Sequence, residues 1–398
     1  MIDAILVLNV GSSSLKFAVY PQTSATHAAL LRGKIAEIGS NPVFSAHDAA
    51  SIAVPENRFP PLNRAMILDD VVPKLLDWLK TYHGGFTIVA AGHRVVHGGR
   101  HHGGPARVTD ALMAELDALV PLAPMHQPHS LKAIRCIAVQ TPEMPQVACF
   151  DTSFHRTQDR LAQLFALPRA LSDEGILRYG FHGLSYEYIA SVLSAHLGDR
   201  AAGRVIVAHL GNGASMCAMK ERRSVANSMG FTALDGLMMG RRCGTLDAGV
   251  ILYLLEEKGL TTQEVTTLLY RSSGLLGVSG ISNDMGVLEA SEAPEAQEAI
   301  DLYCYRAAGE LAALATAIGG LDALVFTAGV GENSALIRKR ICDRLLWMGV
   351  VLNSVENDGN ASRISSVYSA IDVLVIPTDE EAIIARATQL LTIAAAVA

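Results

Sequence analysis

The stretch Asn9-Val10-Gly11-Ser12-Ser13-Ser14-Leu15-Lys16 joins two apolar runs through a turn of one glycine and three serines. Such a turn suits phosphate. Small residues let the backbone approach an anion, while backbone N–H groups, the Ser12, Ser13 and Ser14 hydroxyls and the Lys16 ammonium can all donate to phosphate oxygens. Asn9 adds a neutral oxygen that could face a metal-bound water. A hairpin with a polar tip would look the same. A second segment tilts the balance: Val205 to Met219 again has an apolar run, a glycine-rich turn (His209-Leu210-Gly211-Asn212-Gly213) and a second apolar run, with Gly211 matching Gly11. Two such hairpins are expected of two related halves that grip one phosphate chain from opposite sides.

Other residues able to do chemistry stand at the ends of apolar runs. Arg94 precedes Val95 and Val96, and a guanidinium there needs an anion, either a ligand or one of the chain's own carboxylates; the two readings weigh evenly. Asp151 ends the run from Gln146 to Phe150 and suits a metal-phosphate complex or a nucleophile, or a simple cap. His182, in Arg178-Tyr179-Gly180-Phe181-His182-Gly183, has glycines that permit close ligand approach, although local hydrogen bonding is the ordinary role of a lone histidine. Arg242 lies in the Gly- and Met-rich stretch from Ser228 to Asp247, which reads as a closing loop tipped by a guanidinium or as a hinge with solvated arginines. Ala323 to Asn333 is an apolar strand followed by Gly-x-Gly-Glu-Asn, with a helix expected from about Ser334, the shape of a nucleotide-binding turn. Its glycine spacing alone is a weak signal. Asp379-Glu380-Glu381 opens the last helix, where acidic residues commonly serve the helix dipole.

The elements that must position these groups alternate between strand and helix patterns. Strands are expected through Arg32 to Ile52, from Thr87, at Gln146 to Phe150 and at Val373 to Pro377; helices at Ile67 to Tyr82, Ala111 to Leu119, Ser185 to Leu197 and Glu289 to Ala317. Leu122 to His129 reads as a proline-fixed loop and Gly274 to Asp284 as a turn region. A chain of 398 residues with 50% hydrophobic and 18% charged residues reads as a globular protein of about two domains, with a boundary near Asp151. The net charge of −7 gives no reason to bind nucleic acid. Six cysteines without a C-x-x-C pair argue against structural zinc or a disulfide framework and suit a reducing cytoplasm. The opening apolar run reads as a strand and not as a signal peptide, and the apolar tail is too short to span a membrane.

Taken together, NVGSSSLKF, HRVVHGG, FDTSFH, RYGFHG, HLGNGAS, SMGF, GLLGVSGISND, AGVGENS and TDEE, in this order over the whole chain, resemble the acetate kinase family of the actin, sugar kinase and heat-shock chaperone superfamily. The resemblance implies an α/β fold of two actin-like (ribonuclease H-like) domains, each a mixed sheet flanked by helices, with a cleft between them. It places the first domain at 1–151, joined by the closing helix (about 381–398), and the second at 152–380. It implies reversible, magnesium-dependent, direct in-line phosphoryl transfer from ATP to acetate, giving ADP and acetyl phosphate, in a cytoplasmic homodimer; manganese is the alternative ion. By resemblance Asp151, His182 and Arg242 are catalytic, and Arg94, Val96, Met125, His126, Phe181 and Ala233 hold the acid. Asn9 and Glu380 serve the metal. Ser12, Ser14, Lys16, His209 to Gly213 (with Leu210, Gly211 and Asn212), Asp284, Met285, Gly286, Gly329, Val330, Gly331, Glu332 and Asn333 serve the nucleotide and its phosphates.

The chain departs from the family pattern at several places. Gly286 stands where arginine is usual, Leu184 and Tyr186 replace threonine and histidine, and Ala226 replaces aspartate. Arg241, Cys243 and Thr245 change the neighbours of Arg242. Ala233 in place of proline and Met125 in place of leucine would admit a longer acid, so propionate should compete with acetate. The alternatives are therefore a propionate or other short-chain carboxylate kinase with another phosphoryl donor and, from a different class, a non-catalytic, chaperone or filament-type ATPase of the superfamily.

Overall fold

The apolar run before the serine turn is buried on both faces, as a central strand requires. It forms β1 (Ile2–Val10). Side chains alternate across it: Ala4, Leu6 and Leu8 join the core under the helices Leu68–Thr81 and Gln127–Gln140, and Ile5 and Val7 are equally buried toward the other face. A computed structural model describes residues 1–11, 13–23, 28–82 and 84–396. It divides into one unit of Met1–Phe154 with Asp379–Ala398, and a second of His155–Thr378.

In the first unit, β1, β2 (Leu15–Pro21), β3 (Leu31–Ala36) and β4 (Val43–Asp48) form an antiparallel meander. β5 (Phe86–Val95), the short β6 (Ala106–Arg107) and β7 (Gln146–Phe150) extend it, giving a seven-stranded sheet in the order β4-β3-β2-β1-β5-β7-β6. β1, β5 and β7 run parallel, so their C-terminal ends lie side by side. The closing helix Glu380–Ala396 lies against β1 and β5. Gly92 allows its close approach, because a Cβ there would stand 2.2 Å from Thr388 Oγ1.

The second unit repeats this order. β8 (Val205–Leu210), β9 (Ala214–Lys220) and β10 (Arg223–Asn227) are antiparallel neighbours, and β11 (Ala323–Thr327) and β12 (Asp372–Val375) add in parallel, giving β10-β9-β8-β11-β12. That is the order β3-β2-β1-β5-β7 of the first unit, with the Gly211–Gly213 turn where the serine turn stands. Two mixed sheets with the same strand order, flanked by helices, make the α/β actin-like architecture.

Several local expectations are corrected. The segment read as a proline-fixed loop gives way at Gln127 to the helix Gln127–Gln140, since Pro128 in a first turn needs no N–H. Gly274–Ser279 is a short helix and not a turn, carried by Leu275 and Leu276. The Gly-x-Gly-Glu-Asn segment is itself helical, Ala328–Asn333, and Ser334 caps the next helix by accepting from Ile337 N at 3.0 Å. The long helix starts at Pro294, after a separate Met285–Glu289 turn of helix. All six cysteines are free thiols. Among the described residues, no helix is long and apolar enough to cross a membrane.

Candidate active site

In the first unit the site residues come from neighbouring strand ends. Asn9 lies near the end of β1, Arg94 near the end of β5, and Asp151 directly follows β7, its N–H donating to Val95 O at 3.1 Å. Parallel strands of an open α/β sheet present ligand groups at this edge. Arg94 Nε donates to both Asp151 oxygens at 3.0 Å, and Nη2 donates to Oδ2 at 2.6 Å. Its Nη1 donates to Asn9 Oδ1 at 3.2 Å and stands 3.7 Å from Glu380 Oε2. The internal carboxylate posed as one reading of Arg94 thus exists, while 23% of the Arg94 side chain stays exposed and its five N–H donors exceed those these bonds use. Burial works against the Arg94 charge, but Asp151 and Glu380 more than offset it and raise its pKa. Burial likewise pushes the Asp151 carboxyl upward, with the Arg94 charge pulling against it.

Asn9 Nδ2 donates to Glu380 Oε2 at 3.3 Å, so the pair expected at the metal is assembled across the sheet and the closing helix. One carboxylate and one amide oxygen beside a phosphate-type turn fit a hard cation that keeps most of its waters. Among the described residues no cluster of three or more His, Cys, Asp or Glu is placed to hold a metal. The serine turn is closed by Gly11 N donating to Ser14 O at 2.8 Å. Ser12 lies outside the described residues. Lys16 is the cross-strand partner of Asn9, and its charge acts on Glu381. Of the residues expected to hold the acid, Val96 follows β5, and His126 is the N-cap of Gln127–Gln140 with half-buried Met125 before it.

In the second unit, His182 and Arg242 meet at the glycine turn. A Cβ placed on Gly213 would stand 2.8 Å from Arg242 Nη2 and 3.5 Å from His182 Nε2, so both nitrogens bound one small cradle beside the Gly213 backbone. His182 is the N-cap of the helix Gly183–Leu197, at φ 57° in the left-handed region, after Gly180 at φ 75°. Its Nδ1 is 2.8 Å from Ser215 Oγ, and its ring stacks on His209 at 4.2 Å and 17°. Arg242 Nη1 donates to Ala233 O at 2.5 Å, so Ala233 also serves through its carbonyl, and Phe181 is buried beside this cluster with its own carbonyl on His155 Nε2 at 2.9 Å.

The expected nucleotide segments gather around the same turn only in part. Gly240 N donates to Asn212 O at 3.1 Å, and Asn283 Nδ2 donates to Asn212 Oδ1 at 3.2 Å, which ties the Gly211–Gly213 turn to the Arg242 loop and to the segment before Asp284. Asp284 caps Met285–Glu289 by accepting from Val287 N at 3.1 Å, and Met285 is buried. Glu332 is engaged within the protein: its Oε1 accepts from Ala328 N at 2.7 Å and Thr378 N at 3.1 Å, fixing Ala328 at φ 65°. Asn333 Nδ2 donates to Gly329 O at 2.8 Å.

Three supporting groups escape a reading of the sequence. Ser215 touches His182, and Arg178 holds the start of the Arg242 loop by donating to Asp235 Oδ2 at 3.1 Å and to Ser228 O at 3.2 Å. Arg338 is fully buried and donates to the carbonyls of Gly331 and Glu332, each at 3.0 Å, and to Asn357 O at 2.7 Å. A charged residue on the Ile337–Ile341 face of its helix is the available signal.

The profile described as the Acetokinase family matches residues 4–386. A protein named acetate kinase from Rhodopseudomonas palustris is 51% identical over 392 residues, covering 97% of this chain and 98% of that protein. One of the same name from Methylocella silvestris is 48% identical over 394 residues, with 98% of each covered. Among solved structures, a propionate kinase from Francisella tularensis superposes with a TM-score of 0.90 at 36% identity, covering 98% of this chain and 100% of that one. The Porphyromonas gingivalis acetate kinase gives 0.86 at 35%, with the same coverage.

Proposed function

This chain belongs to the acetokinase family, a group of carboxyl-group phosphotransferases, and from that premise we propose that it transfers the terminal phosphoryl group of ATP to acetate, giving acetyl phosphate and ADP. The observation that carries this reading is the Gly213 cradle, where a guanidinium and an imidazole face one small space. A carboxylate is already a nucleophile, so catalysis rests on positioning and on neutralising the charge of the transferred group. Arg242 and His182 supply donors for its oxygens. Arg94 orients the acid and Asp151 holds Arg94 in register. The turn at Gly211–Gly213 and the short helix at Ala328–Asn333 supply backbone for the nucleotide, and Ser14 and Lys16 add donors for phosphate.

Asn9 and Glu380 would hold the magnesium ion, or manganese in its place, which when bound supplies positive charge to the nucleotide phosphates. The free thiols suit a reducing cytoplasm. The partner we propose is a second copy of the chain: the helix Ala248–Glu256 (AGVILYLLE) has no buried residue, and its Leu252 and Tyr253 are 54% and 52% exposed. A strongly apolar helix left open this way is the mark of an interface. Leu252→Glu should therefore convert a dimer to a monomer in light scattering, and an unchanged mass would count against this surface.

Propionate is the second acid. It is favoured by the small Ala233, the pliant Met125 and the likeness to a propionate kinase. A hydroxamate assay across acetate, propionate and butyrate, with ATP, GTP and pyrophosphate as donors, tests the reading. Acetate with ATP should give acyl phosphate, with propionate within about tenfold in kcat/KM, the low end of the about 1–3 kcal/mol that one methylene is worth. Failure of every acid with ATP would reject it.

A further inference from the structure

We infer that Tyr186 is a positioning residue that acts through Ser215 to fix which nitrogen of His182 carries the proton. The inference rests on the proposed phosphoryl transfer for its meaning, and on three contacts for its substance. Tyr186 lies one turn after His182, its N–H donating to His182 O at 3.1 Å, and it is 0% exposed. Its hydroxyl is 2.5 Å from Ser215 Oγ. Ser215 Oγ is in turn 2.8 Å from His182 Nδ1.

A serine hydroxyl has one proton and two lone pairs, so Ser215 can accept from one neighbour while donating to the other. Burial pushes the Tyr186 hydroxyl well above its ordinary range, so the phenol keeps its proton, and the direction we assign is from that proton to Ser215 Oγ, 2.5 Å away. When Tyr186 donates to Ser215 Oγ, the serine's own proton is directed to His182 Nδ1, which becomes the acceptor. The imidazole proton then sits on Nε2, the atom that faces the Gly213 cradle beside Arg242. Stacking on His209 fixes the ring plane, and His209 is itself held by Ser185 Oγ at 2.9 Å from its Nδ1, with Ser185 2.9 Å from Thr378 Oγ1. Tyr186 stands where the family resemblance leads one to expect histidine, and the tyrosine found there sets, through Ser215, which nitrogen of His182 faces the phosphoryl oxygens with a proton.

The test is a double-mutant cycle of Tyr186→Phe and His182→Ala, read by acyl hydroxamate formation with thermal unfolding of each variant. Tyr186→Phe should lower kcat about 10-fold, with the KM values for ATP and acetate within about twofold, the loss of one ordinary hydrogen bond to a group used in turnover. On the His182→Ala background it should change nothing further, because a residue acting only through His182 has nothing left to position. An unchanged kcat in Tyr186→Phe, or an equal loss on both backgrounds, overturns the inference. A second measurement is independent of turnover: long-range 1H–15N spectra of the histidine side chains of the full chain. Wild type should show His182 Nδ1 unprotonated, with a Nδ1-protonated share rising in Tyr186→Phe; Nδ1 protonated in wild type overturns the inference. A wild type that shows the expected tautomer yet makes no acyl phosphate would reject the proposed activity and leave the positioning role standing.

Discussion

Arg94 grips Asp151 with three hydrogen bonds of 2.6 to 3.0 Å, and Asp151 is 1% exposed. Residues assigned separately, one to the acid and one to catalysis, are therefore one ion-paired unit. Their strands are neighbours, and the Arg94 fork is set before any substrate arrives.

Breaking that unit from the carboxylate side should be costly. Asp151→Ala leaves a charged guanidinium without its main partner, and stability should fall by about 3 kcal/mol. Urea unfolding at pH 7 measures this. A loss under about 1 kcal/mol would mean that the fork contributes little, as exposed ion pairs do.

The Gly213 cradle makes a steric prediction. In Gly213→Ala the new methyl occupies space 2.8 Å from Arg242 Nη2 and 3.5 Å from His182 Nε2. Steady-state kinetics should show kcat reduced about 10²-fold, as for loss of a preorganised donor. Wild-type turnover in this variant would show that no reacting group enters the cradle.

Arg338 gives a test that separates nucleotide from acid. Arg338→Leu leaves the Gly331, Glu332 and Asn357 carbonyls without their donor, at about 3 kcal/mol of stability. Because those carbonyls belong to the Gly329–Asn333 segment and its support, KM for ATP should rise about 10-fold while KM for acetate stays within about twofold. Equal changes in both would disconnect this segment from the nucleotide.

Two buried histidines set an acid limit. Burial pushes His93 down to about 4, against its hydrogen bond to Gln146, and His155 down to about 4 in the same way. Both are neutral in the folded chain, whereas the unfolded chain takes up protons below about pH 6.5. Their contribution to stability is complete above that value and is lost as pH falls toward the folded value. From pH 7 to pH 5 each histidine should cost up to about 2 kcal/mol. Urea unfolding of wild type and His93→Gln at both pH values checks this, and an equal pH dependence in the two proteins would refute the share given to His93.

Much of this is legible in the sequence because the chemistry sits at strand ends. Asn9, Arg94 and Asp151 each stand at or near the end of an apolar run, and parallel pairing of those runs is enough to bring them together. The matching turns at Gly11 and Gly211 foretell the repeated strand order. What is not legible depends on side chains whose partners lie far off in the chain. Glu332 looks like a nucleotide ligand in its motif, yet its carboxylate is bound to Ala328 and Thr378. Tyr186 looks like a simple departure until Ser215, from the facing strand β9, is seen beside it. Pro128 looks like a breaker, although it sits in a first turn, where its missing N–H is harmless, and Gly274 opens its helix at φ 66°, where a Cβ would stand 2.2 Å from Met239 O.

The central claim is that one phosphoryl group passes directly from nucleotide to carboxylate while Arg242 neutralises its oxygens. The ratio of acetyl hydroxamate to ADP, measured in one reaction with ATP, magnesium, acetate and hydroxylamine, tests it most directly. The expected result is one acetyl hydroxamate per ADP in wild type, with the rate lowered about 10²-fold or more in Arg242→Ala. ADP released without hydroxamate, or an Arg242→Ala rate within about threefold of wild type, would contradict it.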